Sequence, residues 1–315
     1  MAGKKAISVA GLFEAAAIVL ALSSVGTLFA EWHRTIELFS HFRLQYLGSS
    51  LLLLLVFAVM RRRNFSLMLV ALVLLNAWYV LPWYISDDRP EADGQAIKIL
   101  QANVLSKNTE TAALLAQVDA ENPDLVILLE MTPRWLQAMQ SMSAEYPHSI
   151  AEAQEGAFGI GLFSKLPLED ARIVYAPPLG LPEIRAVVLI GEQRVSLVSA
   201  HPMSPIGRTS IEARNAQLAA LGEELGMSTR PTMFIGDLNT SMWAPTYLAF
   251  QKASGLRNGR RGFGLVPTYP AFFPIAGIPI DHCLVSEEID VLGFRTGSRI
   301  GSDHWPVIVT LALAD

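Results

Sequence analysis

Cysteine is nearly absent from this sequence: Cys283 is the only one among 315 residues, so no disulfide bond can form within the chain. The chain is therefore not a disulfide-stapled scaffold, although its redox compartment stays open. It also has no internal repeat and no low-complexity stretch. Its length leaves room for one large domain or two modest ones, and a soluble domain of roughly 220 residues is within the usual range.

Basic residues are scarce in the second part of the chain. From Gln95 onward there are 16 Lys and Arg residues against 22 Asp and Glu residues, which gives a net charge near −6. Proteins that bind long nucleic acid usually carry a basic stripe, because phosphate neutralisation supplies most of their sequence-independent affinity. The missing stripe is a weak argument against such a substrate, since bound metal would offset several of the acidic residues.

Long uncharged runs are confined almost entirely to residues 1–90. Residues 7–30, 44–60 and 65–85 are long enough to cross a bilayer of about 30 Å as helices. The first run also resembles a signal peptide, but it lacks a small-residue cleavage pattern and two further runs follow it. The sequence therefore predicts three transmembrane α-helices.

The basic residues of the short loops predict the orientation of these helices. Lys4 and Lys5 precede the first run and residues 61–63, all Arg, separate the second from the third. Such clusters stay on the cytoplasmic side, so the loop at 31–43 and the chain after the third run are expected outside. The prediction is a multi-pass protein of the cell inner membrane whose remaining part is periplasmic or otherwise extracytoplasmic.

We expect residues 1–86 to form a membrane anchor, residues 87–96 a short linker and residues 97–315 a catalytic domain. A transporter-like or sensor role for the helices is less well supported, because apart from Glu14 the three runs lack the charges of a transport pathway.

Apolar segments in the remaining part repeatedly end in a polar residue. Strands are predicted at 97–104, 125–129, 195–200, 232–235 and 307–311, and helices at 109–120, 133–144, 210–225 and 245–253, with Thr109 as an N-cap. Strand ends that each carry a polar residue suggest one site at one edge of packed sheets. A single such residue is more often a turn residue, but together they offer the oxygen ligands that Mg²⁺ prefers and the His and Asp that move protons in phosphoryl chemistry.

Six segments of this part, in order, resemble the endonuclease/exonuclease/phosphatase family. They are Gln101-Ala102-Asn103-Val104, Leu128-Leu129-Glu130, Ser199-Ala200-His201-Pro202, Gly236-Asp237-Leu238-Asn239, Ile280-Asp281-His282 and Gly301-Ser302-Asp303-His304-Trp305-Pro306. The G-D-x-N and S-D-H-x-P elements are each fairly specific. The resemblance implies an α+β fold, a four-layer α/β/β/α sandwich of the DNase I-like type, after the three transmembrane helices.

The resemblance also implies roles for individual residues. Glu130 resembles the main metal carboxylate of the family, and Asn103 and Asp303 resemble its companions, which bind Mg²⁺ or Mn²⁺ directly or through water. These three residues are the predicted metal ligands.

Five further residues resemble the catalytic set. Asp237 is similar to the aspartate that orients or deprotonates the attacking water, and Asn239 to the amide that bonds a phosphate oxygen. His304 resembles the histidine at the reacting phosphate, held by Asp281 as a carboxylate fixes an imidazole tautomer. His201 matches the second histidine, which stabilises the phosphate charge or protonates the leaving oxygen.

The implied activity is metal-dependent hydrolysis of phosphodiester bonds at the outer face of a lipid bilayer. Inositol polyphosphate phosphatases and abasic-site endonucleases fit less well, because His282 replaces an expected Arg and residues 156–165 lack an expected Tyr. A lipid headgroup, a small phosphodiester and nucleic acid remain open as substrates, and the first two are favoured. The alternative is an inactive membrane-attached scaffold with the same fold, which would usually have lost one of these residues.

Some positions allow two interpretations. The segment 263–280, rich in Phe, Pro, Ile and Gly, either dips into a bilayer surface or, as we favour, forms an apolar wall beside the site. Thr268 is either near the site or a turn residue. Arg185 either reaches the phosphate or lies on a surface strand, and His282 is expected to support the site residues or to be structural.

Overall fold

The computed structural model describes residues 8–86 and 94–313, which divide into two units by their contacts. One unit comprises the residues up to Pro82 with Trp243–Pro245, and the other comprises Trp83–Met242 with the residues from Thr246 onward. Most of the predicted linker at 87–96 lies outside the described residues.

The N-terminal part of the chain is helical, as its long uncharged runs predict. The stretches Val9–Trp32, Arg34–Val59 and Arg63–Tyr84 are long and apolar enough to cross a membrane, with mean hydropathy values of 1.9, 1.7 and 2.0. The prediction of three apolar N-terminal helices is confirmed. The regular elements are α1 (Val9–Gly26), a 3-10 helix (Thr27–Trp32), α2 (Arg34–Phe39), a 3-10 helix (Ser40–Phe42), α3 (Arg43–Val59), α4 (Arg63–Val80) and a 3-10 helix (Leu81–Tyr84).

The segment 31–43, predicted as a loop, is mostly helical. His33 caps α2, because its Nδ1 accepts a hydrogen bond from the backbone N–H of Thr35 at 3.1 Å. The prediction overlooked that a histidine can serve as an N-cap, a position where Ser, Thr, Asp and Asn are more usual.

A buried polar contact joins the three helices α1, α3 and α4. The side-chain amide of Asn76 donates to Ser24 Oγ at 2.8 Å, and its oxygen accepts from Arg43 Nη1 at 3.3 Å. The Arg43 guanidinium also lies 3.8 Å from the centre of the Tyr79 ring. Polar groups inside an apolar bundle need such partners. The sequence did not predict that Arg43 is buried here.

The second unit is built on two sheets and the helices that flank them. Its elements are β1 (Ala96–Asn103), α5 (Thr111–Glu121), β2 (Leu125–Leu129), α6 (Pro133–Gln140), β3 (His148–Glu152), β4 (Ile160–Ser164), β5 (Leu168–Ala176), β6 (Leu181–Ile190), β7 (Gln193–Ser199), α7 (Arg208–Gly226), β8 (Thr232–Asp237), α8 (Pro245–Ser254), β9 (Arg257–Asn258), a 3-10 helix (Pro274–Ala276), β10 (Asp281–Val285), β11 (Ile289–Thr296) and β12 (Val307–Leu313). The six-stranded sheets have the orders β11-β12-β1-β2-β4-β3 and β5-β6-β7-β8-β10-β9, and both mix parallel with antiparallel pairs.

Side-chain alternation along the strands creates the layers. Leu125, Ile127 and Leu129 of β2 join the core between the two sheets, whereas the residues between them pack against α5 and α6. On the second sheet, Phe234 of β8 packs on Phe250 of α8, with 5.6 Å between the ring centroids. The order of layers is helix, sheet, sheet, helix, which confirms the predicted sandwich.

Helix ends deviate from the predictions by a few residues. Thr109 is not an N-cap, because α5 begins at Thr111 after a turn in which Asn108 Oδ1 accepts from the N–H of Glu110 at 3.0 Å. Helix α6 ends at Gln140, since Ser141 Oγ donates to the carbonyl of Ala138 at 2.6 Å and turns follow.

Candidate active site

The strand ends that carry polar residues meet at one end of the two sheets. Asn103, the last residue of β1, pairs with Leu129, the last residue of β2 before Glu130. In the other sheet Asp281 pairs directly with Asp237. A hydrogen bond of 3.3 Å from Asn103 Nδ2 to Asp237 Oδ2 connects the two sheets at this end. Strand register therefore gathers the predicted residues into one cluster.

Glu130 and Asn103 form one side of this cluster. Asn103 Nδ2 donates to Glu130 Oε1 at 3.2 Å, and the backbone N–H of Ser106 donates to Glu130 Oε2 at 3.0 Å. Glu130 has a φ of +58°, a left-handed conformation that is uncommon outside glycine and is kept at functional sites at some energetic cost. This turn at the end of β2 directs the carboxylate toward Asn103.

His304 and Asp281 form a buried ion pair. His304 Nδ1 lies 2.9 Å from Asp281 Oδ2. Burial would lower the pKa of His304, but the negative charges of Asp281 and Asp237 outweigh this effect and raise the pKa to about 10. Burial opposes ionisation of Asp281, yet the neighbouring His304 lowers the pKa of that carboxyl group. At neutral pH the pair is thus imidazolium and carboxylate.

Two further residues hold Asp281 in place. Gln101 Nε2 donates to Asp281 Oδ1 at 3.0 Å, and Thr268 Oγ1 accepts from the N–H of Asp281 at 3.2 Å. Thr268 therefore lies next to the site. The carboxylate is fully buried, so its orientation depends on these partners.

Asp237 lies between two imidazoles. Its Oδ2 is 3.7 Å from His304 Nε2 and 3.5 Å from His201 Nε2, and its Oδ1 accepts from the N–H of Asn239 at 2.8 Å. Burial, followed by repulsion from Asp281, raises the pKa of Asp237 to about 6. At neutral pH this carboxylate is mostly ionised and yet basic enough to accept a proton.

His201 and Asn239 complete this side of the cluster. His201 Nδ1 lies 3.1 Å from the carbonyl oxygen of Ala157, so a proton on Nδ1 is donated there and Nε2 faces Asp237. Asn239 has a φ of +50°, and its side-chain amide donates to the carbonyl of Pro202 at 3.0 Å. The amide of Asn239 is thus held on the His201 side of the site.

Asp303 reaches the cluster through its neighbour Ser302. Ser302 Oγ donates to the carbonyl of Asn103 at 2.7 Å and accepts from the N–H of His304 at 3.1 Å. Asp303, which is half-buried, stands between Ser302 and His304 in the sequence. Of the three predicted metal ligands, Asn103 and Glu130 are in direct contact with each other, whereas Asp303 is linked to them only through Ser302.

A second group of side chains has the spacing of a metal site. Ligand atoms of Asp237, Asp281 and His304 lie within 4.8 Å of one another. In this group, however, Asp281 and His304 bond to each other. A hard cation such as Mg²⁺ prefers oxygen ligands to imidazole. The Glu130 carboxylate, near the negative Asp237, offers such a cation harder ligand atoms. Asn103 faces Glu130 with its NH₂ group, while its Oδ1 accepts from the N–H of Leu105 at 3.1 Å, so the amide oxygen would have to turn toward a bound ion.

Sequence reasoning missed several residues around the site. Gln101 lies two residues before Asn103, and strand alternation places the two side chains on the same face of β1, which was a usable signal. The Tyr269 ring lies 4.9 Å from the His304 ring, and Arg214 Nη1 donates to the carbonyl of Asn239 at 3.1 Å. For these last two no sequence signal existed.

Both interpretations of Arg185 are wrong. Its guanidinium is buried and forms ion pairs with Glu183 at 2.6 Å and Glu224 at 2.7 Å. His282 is structural, as expected, because it is fully buried and its Nε2 lies 2.8 Å from the carbonyl oxygen of Thr240.

Comparisons with known proteins agree with this arrangement. A family model described as "Endonuclease/Exonuclease/phosphatase family" matches residues 100–304. No curated protein matches the chain significantly.

Solved structures share the fold at low sequence identity. One is humanized TDP2 of D. rerio, with a TM-score of 0.59 and 17% identity over 69% of this chain and 98% of that chain. Another is an endonuclease/exonuclease/phosphatase of Beutenbergia cavernae, with a TM-score of 0.57 and 19% identity over 70% and 72%. A third, a family protein of Bacteroides thetaiotaomicron, has a TM-score of 0.58 and 17% identity over 71% and 100%.

Proposed function

The chain belongs to the endonuclease/exonuclease/phosphatase family, and from this premise we propose that it is a divalent-metal-dependent hydrolase of phosphodiester bonds anchored in a membrane. One observation carries the proposal. The His304–Asp281 ion pair and His201 flank Asp237, within hydrogen-bond reach of the Asn103–Glu130 pair. This arrangement combines a proton acceptor, two imidazoles and a carboxylate able to bind a hard cation in one cluster.

Glu130 and Asn103 would hold Mg²⁺ or Mn²⁺, with Asp303 as a third ligand either directly or through water. When bound, the ion supplies positive charge to the phosphate oxygens. Asp237 accepts the proton of the attacking water as the new bond to phosphorus forms. His201 gives a proton to the ester oxygen that leaves, so the products are a monoester and an alcohol.

The remaining two residues act on the phosphate itself. His304, kept protonated by Asp281, donates from Nε2 to a non-bridging phosphate oxygen, and the Asn239 amide donates to another. Donors that are already oriented stabilise developing charge without a reorganisation cost.

The membrane topology is part of the same proposal. Residues 1–86 serve as the anchor, residues 87–96 as the linker and residues 97–315 as the catalytic domain, outside the cytoplasm of an inner-membrane protein. The basic clusters before the first and third helices support this orientation. The substrate is a lipid headgroup, a small phosphodiester or nucleic acid.

The test is hydrolysis of bis(p-nitrophenyl) phosphate by the full chain in detergent. We expect turnover with Mg²⁺ or Mn²⁺, none with EDTA, and a loss of at least about 10²-fold in His304→Ala. His148→Ala is the matched control, since His148 pairs with Ser164 at the end of β4 opposite the site. Absence of turnover over a broad panel of diesters would favour the inactive scaffold.

A further inference from the structure

An apolar loop projects from the second unit close to the site. We define it as residues 271–276, which lie between the isolated antiparallel bridge partners Tyr269 and Ile278. Three of its side chains, Phe272, Phe273 and Ile275, are 67%, 52% and 81% exposed. Single exposed apolar residues are ordinary, but a contiguous exposed group marks a surface that binds something.

One end of the apolar loop lies next to the predicted site residues. The N–H of Ala271 donates to the carbonyl of Asp303 at 2.7 Å, and the Tyr269 ring packs against His304. Whatever binds the loop therefore lies beside the reacting phosphate.

The same uncharged segment is also held where the chain leaves the third apolar helix. The carbonyl of Trp83 accepts from the N–H groups of Gly262 at 3.0 Å and Gly264 at 2.9 Å. A Cβ at Gly264 would lie 2.7 Å from the Tyr84 ring, so only glycine allows this contact. Trp83 and Tyr84 are the last residues of a stretch able to cross a membrane, and Trp and Tyr favour the membrane interface.

Composition indicates what covers the apolar loop. No charged residue occurs from position 262 to position 280. A protein interface usually surrounds its apolar centre with a polar rim, whereas a segment that enters a lipid surface must avoid charge. The second unit also follows directly in the chain after three helices that are long and apolar enough to cross a membrane.

We propose that the apolar loop inserts into the lipid surface and holds the site at the height of the headgroups, so that the substrate is a phosphodiester carried by a membrane lipid. This inference rests on the proposed hydrolase function. Water forms the new bond to phosphorus, one ester bond from phosphorus to oxygen breaks, and the departing oxygen takes a proton.

Insertion is tested on the full chain reconstituted in vesicles of equal amounts of phosphatidylethanolamine and phosphatidylglycerol. Phe273→Cys carries a fluorescent probe, and the buried native Cys283, whose pKa burial raises to about 12, does not compete for the label. Spin-labelled lipid should quench the probe at 273 but not at Met227→Cys, a control position that is even more exposed, at 75% against 52%. Insertion is ruled out if the probes at both positions are quenched equally. It is also ruled out if the fluorescence signal depends only on protein concentration.

The substrate class is tested by a double variant, Phe272→Ser with Phe273→Ser. We expect vesicle lipid hydrolysis to fall by at least about tenfold, while bis(p-nitrophenyl) phosphate hydrolysis stays within about twofold. The lipid inference is wrong, and the proposed hydrolase function survives, in two cases. Either the wild-type chain cleaves the soluble diester but not the lipid, or the double variant cleaves both normally. A wild-type chain that cleaves neither overturns the proposed function as well.

Discussion

Replacing Asp281 by Asn tests whether His304 needs a charged partner. The change keeps the side-chain shape but removes the charge and one acceptor atom. Oδ2 faces His304 Nδ1 and Oδ1 faces Gln101 Nε2, so donors approach both atoms. In one orientation of the new side chain, its NH₂ group faces the NH₂ group of Gln101. In the other orientation it faces His304 Nδ1, which can accept this hydrogen bond only after it has lost its proton.

The expected cost follows from the contacts. A partner that orients a catalytic imidazole is worth about 10- to 100-fold, and general acid–base catalysis contributes about 10²- to 10⁴-fold. We expect kcat to fall about 10²- to 10³-fold. KM should change by less than about threefold, because Asp281 is fully buried and in the proposed mechanism acts only through His304. A buried mismatched donor also costs about 1–3 kcal/mol of unfolding free energy.

The assay is hydrolysis of a soluble diester by the full chain in detergent, with circular dichroism to show that the variant is folded. Asp119→Asn makes the same chemical change on the exposed face of α5 and should leave kcat unaltered. If the folded Asp281→Asn variant retained more than about a third of wild-type kcat, the ion pair would have no catalytic role and the reasoning would be refuted.

Three other perturbations test separate parts of the molecule. Glu130→Gln should raise the Mg²⁺ concentration for half-maximal activity at least about tenfold in a metal titration, and an unchanged value would remove Glu130 from the ligand set. Ile127→Ala, at a fully buried position between the sheets, should lower the free energy of unfolding by about 2–5 kcal/mol in guanidinium titrations. If the loss were no larger than that of Ile206→Ala at an exposed position, Ile127 would not belong to the core between the sheets. Asn76→Ala should cost about 0.6–2 kcal/mol in thermal unfolding in detergent, and no shift would show that its contact with Ser24 contributes nothing.

The sequence was most informative where local pattern and tertiary structure agree. Five apolar residues followed by Glu130 predict a buried strand with a polar end, and the structure has β2 at Leu125–Leu129. Because the ends of neighbouring strands lie together, the same pattern indicated that Asn103 and Glu130 would meet. The family resemblance is confirmed, while the roles of the individual site residues stay predictions.

Contacts between distant segments were beyond sequence reasoning. Arg185 is satisfied by Glu224 of α7, and no local pattern could have linked the two. The direct pairing of Asp281 with Asp237 depends on strand register, and a shift of one residue between β8 and β10 would abolish this pairing. The left-handed backbone of Glu130 also arises from its surroundings, since its residue type disfavours it.

The position of β12 has a consequence for folding. This strand lies between β11 and β1 inside its sheet, with Ala312 opposite Ala96. Pairing between such distant segments is slow to form, because a long loop must close first. His304 closely precedes this strand, so we expect the candidate site residues to come together only when β1 and β12 have paired. A chain in which this pair is open has a gap in the sheet and should be a target for proteolysis.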